Sequence, residues 1–234
     1  MTTSPPEKRH LASRTWPEVA GAAPAVLLVP VGSCEQHGPH LPLGTDTQVA
    51  LAVADRVARL RDDVVVAPAL PYGSSGEHDG FAGTLSIGTA ALRTALVELG
   101  RSAFPEQGPS AFRSLVFVNG HGGNLEAVRA AVEVLEGEGR PVSGWWPSVP
   151  GGDAHAGRTE TSLLLALDPG AVGTERPVGA TEPVADLLPL LRERGVAAVS
   201  PNGVLGDASD ASAGEGEQVL AGLVEDLLAL VEGS

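Results

Sequence analysis

Glu35 and His37 stand two residues apart, just past the apolar run AVLLVPV at residues 25 to 31. In extended backbone, residues i and i+2 point to the same side, so a carboxylate and an imidazole placed this way can face one point. Asp46 follows nine residues on, and His121 sits in NGHGGN among Gly120, Gly122 and Gly123. Glycines there permit a tight turn and a close backbone approach. Carboxylates mixed with imidazoles suit zinc, manganese or iron better than magnesium or calcium. A bridging aspartate, with a second ion about 3.5–4 Å from the first, would make a two-metal site. His155 and Glu160 share the stretch DAHAGRTETS. His155 is free to act as an acid or base near neutral pH, and Glu160 could ligate a metal. Each residue also has a plainer reading. Asp46 could cap a helix, NGHGGN could be a turn or an anion nest, Glu160 could complement a helix dipole, and His155 could be an exposed loop histidine. Ser33 and Cys34 are nucleophiles only in principle, because neighbouring acids raise a thiol pKa.

The elements that must hold these residues follow from hydrophobic periodicity. Residues 25 to 31 read as a buried strand that breaks at Gly32, and VVVAPAL and SLVFV read as a second and a third. PVSGWW, residues 141 to 146, could be a fourth. Between them, TDTQVALAVADRVARL has helical spacing, with Thr45 or Asp46 as its cap. Helices are also expected over Thr89 to Gly100, Asn124 to Gly137, the segment TSLLLALD, and Ala211 to Glu232. Alternating strands and helices imply an α/β fold with a mostly parallel sheet covered on both faces. Ligands in such folds bind beyond the carboxyl ends of the strands. The loops after all four strands should therefore gather at one rim. Five of the six histidines, His37, His40, His78, His121 and His155, lie in those loops, and only His10 stands outside. Surface histidines scattered at random would not be expected to cluster so.

Length and composition set outer bounds. The 234 residues suffice for one domain, 1–234, with a large core, and residues 1–12 are expected to be flexible. Apolar residues make up 43%, which excludes disorder of the whole chain. Aromatics are only 3%, so the core must be built mainly of Ala, Val and Leu. A formal charge of -14 argues against nucleic acid and anionic membranes as partners. The single cysteine permits no intrachain disulfide and suits a reducing compartment. The start MTTSPPEKRHLASRTW lacks the apolar stretch of a signal peptide. No run of about 18 apolar residues predicts a membrane span. These points together predict a cytoplasmic protein.

The stretches VPVGSCEQHGPHLPLGTDT, PYGSSGEHDGFAGTLSIG, FVNGHGGN, DAHAGRTETS and GVLGDASDASAGEGE span residues 28 to 217. They resemble the motifs of the creatininase family, in the family's order. The resemblance implies a three-layer α/β/α sandwich with a parallel central sheet. It also implies hydrolysis of C–N amide bonds with two divalent ions (zinc, iron or manganese), and a homo-oligomer, a hexamer built from dimers. Carried over by position, Glu35, His37, Asp46 as the bridge, and His121 would be metal ligands, and His155 the group that transfers a proton. Creatinine hydrolases have a glutamate two residues after the His121 position, where this chain has Gly123. That departure counts against creatinine as substrate and leaves Glu160, the glutamate of the ETS motif, to complete the site.

Within the family, RTWPEV, VELGRSAF, GDAHAGRTETSLLLAL and SPNGVLGD resemble one branch. Its enzyme removes a modified C-terminal Val–Tyr dipeptide from a ribosomally made precursor peptide. A small modified peptide is therefore the expected substrate. Its aromatic and branched side chains call for apolar walls, for which Trp145, Trp146 and Phe81 are candidates. Two rival readings stand beside it. One is an amidohydrolase for creatinine or for a formamide in flavin or deazaflavin precursor synthesis. The other is a non-catalytic metal-binding scaffold of a maturation complex.

Overall fold

Every residue of the apolar run 25–31 is buried in the strand β1 (Ala25–Val31), in a computed structural model that describes residues 9–233. β1 pairs in parallel with β2 (Val64–Val66) and with β3 (Phe112–Asn119), and β3 pairs in parallel with β4 (Val142–Trp145). The order is β2-β1-β3-β4. Alternate residues of β1 serve opposite faces, as the pleat requires. Val26 and Leu28 pack with Val116 and Val118 against α2 (Thr45–Leu60), α5 (Arg158–Leu167) and α8 (Ala213–Glu232). Leu27, Val29 and Val31 pack with Leu115 and Phe117 against α3 (Gly88–Ala103) and α4 (Leu125–Gly137). Two apolar cores on either side of one sheet make the α/β/α sandwich.

Local chemistry sets several boundaries differently from the sequence pattern. The second strand stops at Val66; beyond it, Ala67 donates its amide to the Leu28 carbonyl and Leu70 forms an isolated bridge to Val31. α2 has Gly44 as its N-cap with no side-chain cap bond. Thr45 instead donates its hydroxyl to the Pro42 carbonyl, and Asp46 turns its carboxylate inward. Three helices lack a clear apolar stripe in the sequence. α1 (Trp16–Ala20) is a single capping-box turn closed by Thr15 and Glu18. α6 (Val184–Arg194) contains Pro189, which reads locally as a break. α7 (Val196–Val199) has four residues. His10 bridges to Val66 and holds its Nε2 3.3 Å from Asp55. From His10 onward the segment expected to be flexible is therefore anchored to the edge strand, and residues 1–8 lie outside the described residues. No helix among the described residues is long and apolar enough to cross a membrane.

Candidate metal centre

The loops leaving all four strands meet at the carboxyl edge of the sheet. Glu35 and His37 come from the loop after β1, His78 from the loop after β2, His121 from the turn after β3, His155 from the segment between β4 and α5, and Glu160 from the first turn of α5. α2 begins under this rim and delivers Asp46 from its first turn. The approach is tight: a Cβ at Gly120 would stand 2.4 Å from the Asp46 carbonyl oxygen. Only glycine lets β3 exit across the start of α2.

Asp46 lies between two imidazoles. Its Oδ1 is 3.0 Å from His37 Nε2, and its Oδ2 is 3.3 Å from His121 Nδ1. Ser33 donates its hydroxyl to Oδ2 at 2.6 Å, so the side chain weighed as a nucleophile serves to orient the aspartate. Glu35 Oε2 is 3.1 Å from His121 Nε2, and Glu160 Oε2 is 3.7 Å from His37 Nε2. One ligand atom from each of Glu35, Asp46 and His121 falls within a 4.8 Å cluster, and the same holds for His37, His155 and Glu160. Cys34 takes no part, since its thiol faces the Gly83 carbonyl.

Two features test whether this donor set fits a cation. Glu35 is wholly buried, and neither of its carboxylate oxygens accepts a hydrogen bond. Burying a carboxylate without hydrogen bonds is expensive, and burial accordingly raises its pKa. His37 Nδ1 lies 3.1 Å from the Glu35 backbone carbonyl, an obligate acceptor, so a neutral ring carries its proton at Nδ1. The Nε2 lone pair then confronts an Asp46 oxygen at 3.0 Å. Such a contact needs a cation or a proton between the two atoms. Burial disfavours the His37 imidazolium, yet Asp46 outweighs burial and pushes its pKa up to about 10. His121 is likewise raised: burial opposes its charged form, and Glu35 and Asp46 prevail. Asp46, despite burial, is held well below the usual carboxylate range by His37 and His121. Orphaned carboxylate oxygens and nitrogens trapped against carboxylates both fit bound divalent cations.

His155 is different. Burial and the neighbouring His37 bring its pKa down to about 4, so the ring is neutral near pH 7. His78 is neutral too, lowered to about 2 by burial and by His155. The His155 ring sits between those of His37 and His78, with centroids 4.4 and 4.5 Å away. His40, the fifth rim histidine, points aside and pairs its Nε2 with the Thr161 hydroxyl at 2.8 Å.

Three residues of the cluster had no role in the sequence reading: Gln36, Glu77 and His78. The signal for two of them was the dipeptide Glu77–His78 within PYGSSGEHDG, which resembles the first strand's Glu–x–His in composition. Glu77 explains the glycine at 123. A Cβ there would stand 2.3 Å from the Ser74 carbonyl oxygen, 2.4 Å from His121 Nε2 and 2.5 Å from Glu77 Oε1. A side chain at 123 has no room, and the Glu77 carboxylate fills that space, 3.4 Å from His121 Nε2.

Two cavities reach the cluster. One, of about 760 Å³, is lined by Glu77, His78, His155 and Glu160, with Leu188 and Leu191 of α6 also in its wall. The other, of about 290 Å³, lies across Asp46, His121 and Glu160 and is walled by Val49, Leu125, Trp146, Leu163 and Leu223. Of the three expected apolar walls, only Trp146 lines either cavity. Trp145 is a correction: alternation along β4 turns it into the core, where its indole N–H donates to Asp226 at 2.7 Å. Phe81 is half-buried. It follows the single helical turn at Gly76–His78 and lines neither cavity.

With this geometry in view, the relatives carry specific information. The family model for creatininase, described as creatinine amidohydrolase, matches residues 12–231. The mycofactocin precursor peptide peptidase of Mycolicibacterium smegmatis is 57% identical over 207 residues, covering 85% of this chain and 81% of that protein. Among solved structures, a manganese creatininase superposes with a TM-score of 0.74 at 29% identity, covering 96% of this chain and 98% of its own. A zinc–zinc form of a creatininase mutant gives 0.75 at 28% identity, covering 96% and 97%.

Proposed function

The chain belongs to the creatininase family, and from that premise we propose that it is a metal-dependent peptidase that removes the modified C-terminal Val–Tyr dipeptide from the mycofactocin precursor peptide. The observation that carries the metal dependence is Asp46, with one oxygen turned to His37 and the other to His121. The peptide substrate rests on the 57%-identical relative, a mycofactocin precursor peptide peptidase. Glu35, Asp46 and His121 would hold one ion, and His37, Asp46 and Glu160 the other. The donor set suits zinc, iron or manganese, and a cytoplasmic homo-oligomer, a hexamer by family resemblance, completes the reading.

Held by these residues, divalent ions would supply Lewis acidity, which lowers the pKa of water toward neutrality and polarises a carbonyl. The chain's own residues do the rest. Ser33 and the two imidazoles keep the Asp46 carboxylate ionised and fixed in orientation. His155, neutral at the start, takes up a proton and gives it to the departing amine, whose expulsion needs one. Gly122 and Gly123 line the larger cavity beside His121, where backbone amides can face the developing oxyanion. The cavity walled by Trp146, Leu163 and Leu223 offers the apolar surface that the side chains of Val and Tyr need. Crowding at Gly123 excludes the glutamate of creatinine hydrolases, which disfavours the small cyclic amide.

The direct test is mass spectrometry of the modified precursor after incubation with metal-loaded protein. Release of the terminal dipeptide is expected, with little or no hydrolysis of creatinine. Rapid creatinine turnover with the peptide intact would overturn the substrate, and no hydrolysis of any amide would favour the scaffold reading. A second expectation concerns Glu160. Its Oε2 also accepts from the Ala156 amide at 2.6 Å, a contact that glutamine can keep. Glu160→Gln should therefore fold and retain one ion per chain in elemental analysis. Two ions retained would remove Glu160 from the ligand set.

A further inference from the structure

Gln36 is buried at 5% exposure between the two residues proposed as the first ligands, and its side chain is fully engaged. Its Oε1 accepts from the Gly38 amide at 2.8 Å, and its Nε2 lies 3.0 Å from the Gly203 carbonyl oxygen. A backbone N–H can only donate and a backbone C=O can only accept, so these two contacts fix which end of the amide is oxygen. The same Nε2 is 2.9 Å from His78 Nδ1 and 3.0 Å from His155 Nε2. An amide nitrogen carries two hydrogens, and one goes to Gly203. The other has two possible takers. His155 Nε2 also stands 2.9 Å from the Gln36 backbone carbonyl. A bare nitrogen would meet that oxygen lone pair to lone pair, so His155 carries its hydrogen at Nε2 and donates it to the carbonyl. The remaining Gln36 hydrogen therefore goes to His78 Nδ1.

We infer that Gln36 is a positioning residue whose side-chain amide and backbone carbonyl set both neighbouring histidines in the Nε2–H tautomer. The consequences differ for the two rings. His78 turns its N–H toward Glu35 Oε1, 3.3 Å away. The contact brings a positive hydrogen near the Glu35 carboxylate without meeting hydrogen-bond geometry, and that nitrogen offers no lone pair to a metal. His155 is left with Nδ1 bare, on the side of the ring 3.8 Å from Glu35 Oε1. The nitrogen that takes up and releases the proton is thus Nδ1, while Nε2–H holds the ring in place. Outer partners of this kind fix tautomer and orientation, and their loss typically costs about 10–100-fold in activity or metal affinity.

The assignment is tested on zinc-loaded protein, which is diamagnetic, by two-bond ¹H–¹⁵N correlation of ¹⁵N-histidine-labelled material. His78 and His155 should each show a protonated Nε2 and an unprotonated Nδ1. A protonated Nδ1 on either ring would overturn the inference, whatever the variants do. Gln36→Glu keeps an acceptor for Gly38 and removes both donors. It should move the His78 hydrogen to Nδ1, leave His155 unchanged, and lower kcat on the precursor peptide about 10–100-fold with KM within about threefold. A variant with wild-type kcat and an unshifted His78 would overturn the positioning role. The kcat arm rests on the proposed peptidase activity. The tautomer measurement needs no substrate, so failure of that activity and failure of this inference are separately visible.

Discussion

Asp46→Ala protein is expected to be purified with less than one ion per chain and to lose about 10³-fold or more in amide hydrolysis. The expectation follows from position. Asp46 holds one oxygen 3.0 Å from His37 and the other 3.3 Å from His121, so it stands between the two proposed ion positions. Removing it takes a bond from both ions at once, whereas removing any other proposed ligand takes a bond from one. Lewis-acid stabilisation contributes several kcal/mol to such reactions, and about 4 kcal/mol corresponds to about 10³ in rate. The apo-protein should still fold, because Asp46 pairs with two imidazolium groups whose own charges depend on it. With the aspartate gone, His37 loses the partner that raises its pKa to about 10 and can revert to the neutral ring. Elemental analysis beside a circular dichroism spectrum checks both halves. Full occupancy by two ions in a folded variant would exclude Asp46 as the bridge.

His155→Ala is expected to separate catalysis from metal binding. The ring is buried, neutral near pH 7, and anchored through Nε2 to the Gln36 carbonyl. A group anchored on one side and bare on the other suits proton transfer, a contribution typically of about 10²–10⁴-fold. The variant should keep both ions and lose turnover in that range. Single-turnover measurement with the precursor peptide separates the chemical step from product release. Unchanged turnover would remove His155 from the mechanism, and loss of an ion would move it into the ligand set with His37 and Glu160, which lie close enough to it for that role.

Periodicity alone located β1 to the residue and α2 to within one or two residues at its start, because each carries a long, regular burial pattern. It placed α4 and α8 within one or two residues for the same reason. Parallel connection then dictated that the loops holding Glu35, His37, His121 and His155, and the helix start holding Glu160, share one rim, since every crossover returns the chain to the same edge of the sheet. Those statements need only local backbone preference and the handedness of the chain. What a strand's last residue faces is a different kind of fact. Trp145 and Trp146 are chemically identical neighbours, yet the register of β4 buries one beside α8 and leaves the other on a cavity wall. The Pro-interrupted α6 lines the larger cavity because packing overrides its weak local signal. Glu77 enters the cluster because Gly123, 46 residues away, has no side chain to exclude it. Gln36 meets His78 and His155 across sequence separations of 42 and 119 residues. The sequence by itself determined which chemical groups stand at the ends of which elements. Only the tertiary structure decided which of them touch, because contact between distant loops depends on register, close packing and fixed hydrogen-bond polarity, none of which is a property of a local stretch of chain.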